Sequence, residues 1–154
     1  MRSHFGVPLL LLLLLACSAD RGEPPASLKS AETLSKDAEA LLGHYYSGDG
    51  LGRNVSFTLS ADGSFTGSWH GCMGNYGEAK GTWRRSNGHV LFSPSSETGM
   101  MVGHLIDLEV KKNGDNYILV PTSAPERKFF DKFGPLRSSC FHNTDKTPIG
   151  SIPR

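Results

Sequence analysis

The sequence predicts a mainly β domain, an up-and-down antiparallel meander of about eight strands closing into a small barrel or half-barrel, with one N-terminal amphipathic helix. Three observations predict it. Asp62-Gly63, Asn87-Gly88 and Asn113-Gly114 each separate two runs of alternating apolar and polar residues, which is the pattern of tight hairpins. The hydrophobic period is helical before Gly43 and two-residue after it. Eighteen glycines, with 8 Phe, 4 Tyr and 2 Trp, suit short strands joined by close turns. A meander of this length curls and closes, because closure removes its exposed edges.

The chain opens with Arg2, a run of seven leucines from Leu9 to Leu15, and the small-residue exit Ala16-Cys17-Ser18-Ala19. A basic start, a short apolar run and a small-residue exit make a secretory signal peptide, placed at residues 1–16. The run falls short of the ~20 apolar residues needed to span a bilayer. Leu14-Leu15-Ala16-Cys17 resembles the lipobox of bacterial lipoproteins, with Leu15 where a smaller residue is commoner. The resemblance implies cleavage before Cys17 and acylation of its thiol, so that acyl chains hold the protein at the membrane. Ser18, rather than aspartate, follows the cysteine, which implies an outer-membrane location facing the periplasm if the source is Gram-negative. Ordinary cleavage after Ala19, releasing a soluble secreted protein, is the alternative reading.

Residues 17–27 then form the lipidated cysteine and its tether, where Pro24-Pro25 and small polar residues favour extended chain. Residues 28–42 form the amphipathic helix: Leu28, Ala31, Leu34, Ala38, Leu41 and Leu42 recur at helical spacing, and Gly43 is placed to cap it. Its leucine stripe is expected to pack on the β-domain, since it lacks a cationic face. The β-domain is assigned to residues 43–143, with strands around 44–46, 54–60, 65–69, 79–83, 90–93, 106–111, 117–120 and 137–142. A short helix is expected from Pro125 to Phe133. Residues 144–154, with Pro148, Gly150 and Pro153 and few apolar side chains, read as a disordered tail.

Within the β-domain, Tyr45-Tyr46-Ser47-Gly48-Asp49-Gly50-Leu51-Gly52, Trp69-His70-Gly71-Cys72-Met73-Gly74-Asn75-Tyr76-Gly77 and Gly81-Thr82-Trp83 form a loose pattern of glycines and aromatics. It resembles small uncharacterised bacterial lipoproteins with lipocalin-like barrels, over residues 43–121. The resemblance implies the fold and the envelope address, and carries no activity.

The net charge of +1 implies no nucleic-acid partner. No Gly-x-Ser-x-Gly motif occurs, and the acids and histidines are scattered, so the sequence implies neither an enzyme nor a cofactor. Gly48-Asp49-Gly50-Leu51-Gly52 is followed by an alternating strand rather than a helix, which makes it a glycine turn and not a phosphate cradle. Asp49, Asp62 and Asp115 lack the ligand spacing of a calcium loop. Asn54-Val55-Ser56 fits a glycosylation sequon, accidental in a bacterial protein.

Two constellations stand out. Tyr45, Phe57, Phe65, Trp69 and Trp83, with Tyr46 and Tyr76, are either core or the lining of an apolar ligand site. Beyond Cys17, Cys72 and Cys140 are the remaining thiols, and export favours their pairing as a disulfide. That bond would close a loop of about 69 residues, worth roughly 4 kcal/mol. An antiparallel register that sets Cys72 opposite Cys140 also sets His70 opposite His142. The same four residues, His70, Cys72, Cys140 and His142, are then the alternative ligand set of a zinc or copper site.

The leading functional expectation is a non-enzymatic envelope lipoprotein, attached to the membrane by a lipid anchor and binding a small apolar ligand or another envelope protein. The alternatives are a structural or inhibitory interaction module, using the loop from Gly71 to Gly77 as its contact, and a metal-handling lipoprotein. A cavity above about 300 Å³ favours a ligand, whereas a filled interior directs attention to the surface loops.

Overall fold

The computed structural model describes residues 35–154. The signal peptide, Cys17, the tether and the first part of the predicted helix lie outside the described residues. Eight antiparallel strands form a closed barrel in sequence order, β1 (Gly43–Gly48), β2 (Asn54–Leu59), β3 (Ser64–Gly71), β4 (Gly74–Ser86), β5 (His89–Glu97), β6 (Asp107–Asn113), β7 (Asn116–Pro121) and β8 (Phe141–Asn143). Closure is made by β8, which pairs with β7 through Ile118–His142 and with β1 through Tyr46–His142. The described part of the predicted helix is a single turn, α1 (Lys36–Glu39), where the Ser35 hydroxyl accepts from the Ala38 N–H. Ala38 of this turn and Leu41 just after it are buried in the barrel core; the helix ends at Glu39 with Ala40 as its C-cap, short of the expected Leu42, because Gly43 already begins β1.

Strand β2 alternates as a half-buried strand must, whereas β8 is buried throughout. Val55, Phe57 and Leu59 of β2 point inward, and Asn54, Ser56 and Thr58 point outward. Thr66, Lys80, Thr82, Arg84 and Ser93 cover the outside of β3 to β5. The polar outside and apolar inside are the reverse of a transmembrane barrel. The interior is filled by aromatic rings: Phe57 lies 5.2 Å from Tyr45, 5.3 Å from Phe92 and 4.9 Å from Phe141, and Phe65 lies 4.9 Å from Phe92. All of these spacings fall within the range of favourable ring pairs. Trp83 is buried with its indole N–H donating to Ser60 O at 3.1 Å.

The up-and-down topology sorts the connections by end. The three Asx-Gly turns all fall at one end, the hairpin end, together with α1. At Asn87-Gly88 both residues have positive φ, 51° and 80°, which is the type I′ hairpin geometry that Asn-Gly favours. The other end, the open end, carries three longer connections, residues 49–53, 98–106 and 122–140, together with the two-residue β3–β4 turn at Cys72 and Met73. The last of these contains α2 (Ala124–Phe133), close to the predicted Pro125–Phe133. α2 packs on the outer side of β7, where Phe130 meets Ile118 and Val120.

Two expectations are corrected here. The last strand is Phe141–Asn143 rather than Arg137–His142, because Arg137 to Ser139 is engaged in turns: Gly48 N–H donates to Arg137 O at 3.0 Å, and Ser139 N–H to Leu136 O at 3.0 Å. Residues 144–154 are ordered. Asp145 accepts from His44 N–H at 2.8 Å, Asn116 donates to Thr147 at 3.0 Å, and Arg137 N–H donates to Pro153 O at 2.7 Å. These bonds lead the segment from the hairpin end to the open end, and Ile152 is 5% exposed. Composition alone suggested a tail because one buried isoleucine and a set of backbone bonds leave no periodic signal.

Candidate functional site

The open end is shaped first by the β1–β2 connection. Asp49 Oδ1 accepts from the N–H groups of Leu51 at 2.7 Å and Arg53 at 3.2 Å, and these bonds hold its carboxyl below the usual range. Asn54 Oδ1 accepts from the Tyr46 hydroxyl at 2.6 Å and Gly50 N–H at 3.0 Å, while its amide donates to Leu51 O and His70 O, each at 3.3 Å. The loop is therefore built on two side chains of its own, and it delivers Arg53 to the rim.

Arg53 sits between three connections. Its guanidinium lies 5.7 Å from the centre of the Trp69 ring on β3, and its Nη2 is 3.7 Å from Glu126 Oε1 on α2. The His104 ring, from the β5–β6 connection, lies 4.8 Å from the Trp69 ring. Burial, then the positive charge of Arg53, holds the His104 imidazole below its ordinary pKa. For Glu126, burial acts upward, but the Ser123 hydroxyl at 2.7 Å, the backbone N–H and the Arg53 charge outweigh it and hold the carboxyl low. Near neutral pH the cluster is one guanidinium, one carboxylate and one neutral imidazole around an indole.

Two clefts adjoin this cluster. One, about 360 Å³, is lined by Asp49, Arg53, Pro125, Glu126, Phe129 and Ser138. The other, about 660 Å³, is lined by Gly52, Trp69, Asn75, Tyr76, Gly99 and Met100. The second groove depends on close backbone approach. A Cβ on Gly77 would stand 2.3 Å from Thr98 O, and one on Gly71 would stand 2.3 Å from the Tyr76 ring. Apolar side chains crown this end: Leu51 is 70% exposed, Met73 91%, Val102 64% and Met100 56%.

Comparison with protein-family models, curated proteins and solved structures found no match to this chain. The site is therefore read from its own residues.

Of the residues read as either core or the lining of a ligand site, Tyr45, Phe57, Phe65 and Trp83 are buried core, and Trp69 faces the groove. The physical cause is simple: a small eight-stranded barrel is filled by its own side chains. Arg53, His104 and Glu126 were missed by sequence reasoning. They lie in three separate connections, and no motif spacing links them. The only local hint was the polar-aromatic character of the chain around Trp69.

The proposed cysteine pairing is also corrected. Cys72 and Cys140 are free, the first exposed and the second buried. β3 pairs with β2 and β4, and β8 with β1 and β7, so the register that faced Cys72 to Cys140 and His70 to His142 does not exist. β1 and β2 stand between the two strands. At about 4.8 Å per strand, that separation exceeds the roughly 7 Å limit for a disulfide. The four residues do not form a metal site either, and no cluster of three or more His, Cys, Asp or Glu suited to a metal occurs among the described residues.

Instead, Cys72 Sγ donates to Leu51 O at 3.2 Å, and Cys140 Sγ lies 3.3 Å from His142 Nε2. Burial pushes the Cys140 thiol up to about 12 and the His142 imidazole below its ordinary value, so the pair is neutral rather than thiolate and imidazolium. Apart from Cys17, a thiol reagent is expected to modify Cys72 rapidly in the native protein and Cys140 only after denaturation. Two thiols that react at the same rate, or none in unreduced protein, would contradict this arrangement.

Proposed function

We propose that this chain is a non-enzymatic lipoprotein of the bacterial cell envelope, with a lipocalin-like barrel that binds a small apolar ligand at its open end. In a Gram-negative source its place is the periplasmic face of the outer membrane. The observation that carries the binding reading is the groove of about 660 Å³ lined by Trp69, Tyr76 and Met100 at the open end. Its volume falls within the usual range of small-molecule sites. The interior, filled by Phe57 and its neighbours, leaves the open end as the place for a ligand.

The envelope reading rests on the sequence before Ser35, through the signal-like start and Cys17. A second reading, contact with another envelope protein through the same end, is favoured by the exposure of Met73 and Leu51.

Two measurements test the proposal. Cys17→Ser is expected to move the processed protein from the membrane fraction to the soluble fraction, and a variant that stays wholly with membranes would place the anchor elsewhere. Trp69→Ala is expected to lower affinity for apolar aromatic probes by tenfold or more, about 1.4 kcal/mol. Unchanged binding in Trp69→Ala would move the ligand out of this groove.

A further inference from the structure

We propose that the ligand of the open-end groove is an anion: a small molecule whose apolar body lies against Trp69, Tyr76 and Met100 and whose acidic group meets Arg53. This rests on the ligand-binding reading above and adds the charge of the ligand.

The walls of the groove supply apolar surface but little polar capacity. Asn75 is already engaged, its amide donating to Glu78 Oε1 at 2.7 Å and its carbonyl accepting from Gly77 N–H at 3.0 Å. The lining residues Gly52, Trp69, Asn75, Tyr76, Gly99 and Met100 include no carboxylate. Two charged side chains adjoin them: Glu78, whose carboxylate is taken up by the Asn75 amide, and Arg53, which follows Gly52 in the chain and stands over the Trp69 ring.

Arg53 has binding capacity to spare. A guanidinium carries five N–H donors. Among the described residues, that of Arg53 makes one ion pair, to Glu126 at 3.7 Å, and no side-chain hydrogen bond. Both partners of this pair are about a third exposed, and pairs of this kind contribute little. An incoming carboxylate or sulfonate that accepts two N–H bonds from Arg53 replaces a long contact with short ones. Arg53 also lines the other cleft, but there Asp49 and Glu126 stand beside it, so an anion is repelled on that side and admitted from the groove. A cationic ligand meets the reverse arrangement, since Arg53 already occupies the ring of Trp69.

The test compares three probes that share one ring system and differ in charge: naphthoate, naphthylmethanol and naphthylmethylammonium. Each is titrated into the full chain while the two indole N–H signals are followed by NMR. Trp83, bonded to Ser60 O at the hairpin end, is the internal reference. Naphthoate is expected to shift the Trp69 signal saturably and to bind about tenfold more tightly than naphthylmethanol, with the ammonium weakest. Arg53→Gln should abolish the preference for naphthoate over naphthylmethanol. Glu126→Gln, which releases Arg53 from its partner, should tighten naphthoate and leave naphthylmethanol unchanged.

Equal binding of all three probes, insensitive to Arg53→Gln, overturns the assignment of charge and leaves the groove reading standing. If no probe shifts Trp69 saturably, the groove reading itself falls and the charge assignment falls with it. Shifts of Trp83 equal to those of Trp69 would place the probe outside this groove and overturn both.

Discussion

Phe57→Ala is expected to cost about 3–5 kcal/mol of folding stability. Phe57 is 1% exposed and touches rings from three other strands, Tyr45 on β1, Phe92 on β5 and Phe141 on β8. Truncation loses the transfer free energy of the ring and leaves a hole that hydrogen-bonded strands close only in part. The total stability of a domain this size is about 5–15 kcal/mol, so the variant is expected to be partly unfolded at moderate urea. Urea denaturation followed by far-UV circular dichroism checks it. The midpoint should fall sharply with little change in slope, while the outward-facing Thr58→Ala on the same strand should change stability by less than about 0.5 kcal/mol. A loss below about 1 kcal/mol for Phe57→Ala would mean that the ring is not at the centre of the core.

Gly77→Ala is expected to have the second largest effect, a loss of about 1–3 kcal/mol together with distortion of the groove. The new methyl would stand 2.3 Å from Thr98 O, 2.8 Å from Met100 N and 2.9 Å from Met101 N. All three are backbone atoms, which cannot rotate away as a side-chain tip would. The segment 98–101 must therefore move, and Gly99 and Met100 are part of the groove wall. Urea denaturation gives the stability, and the NMR signals of the Met100 methyl and the Trp69 indole report the groove. Gly150→Ala is the control, because a Cβ there meets nothing within 4 Å. Its stability should stay within about 0.5 kcal/mol of the parent. A Gly77→Ala variant that matches this control, with an unmoved Met100 signal, would show that β4 and the 98–101 segment are not in close contact.

The two variants mark the difference between what local pattern encodes and what it does not. Phe57 could be assigned to a buried face because Val55, Phe57 and Leu59 alternate with polar neighbours. The inward direction follows from the two-residue period of a strand. Whether such a ring packs against other rings or borders a ligand depends on the space left inside the closed barrel, which no single strand specifies. Gly77 gave a sequence signal of flexibility alone, and its real constraint is a neighbour twenty-one residues away at Thr98.

By itself, the sequence determined the mainly β class, the strand count, the three Asx-Gly turns and the short helix that became α2. These follow from periodicity and turn chemistry, which act within a few residues. Tertiary structure alone decided the rest. It closed the barrel through a three-residue β8 and ordered the C-terminal segment along the outside. Separation of Cys72 from Cys140 came from the same source, because β1 and β2 lie between their strands. The gathering of Arg53, Trp69, His104 and Glu126 at one rim came from the up-and-down topology, which sends every second connection to the same end. The physical reason is range: hydrogen-bonded turns and alternating faces are set by adjacent residues, whereas a site made from three connections and a strand exists only once the sheet has closed and fixed which loops share an end.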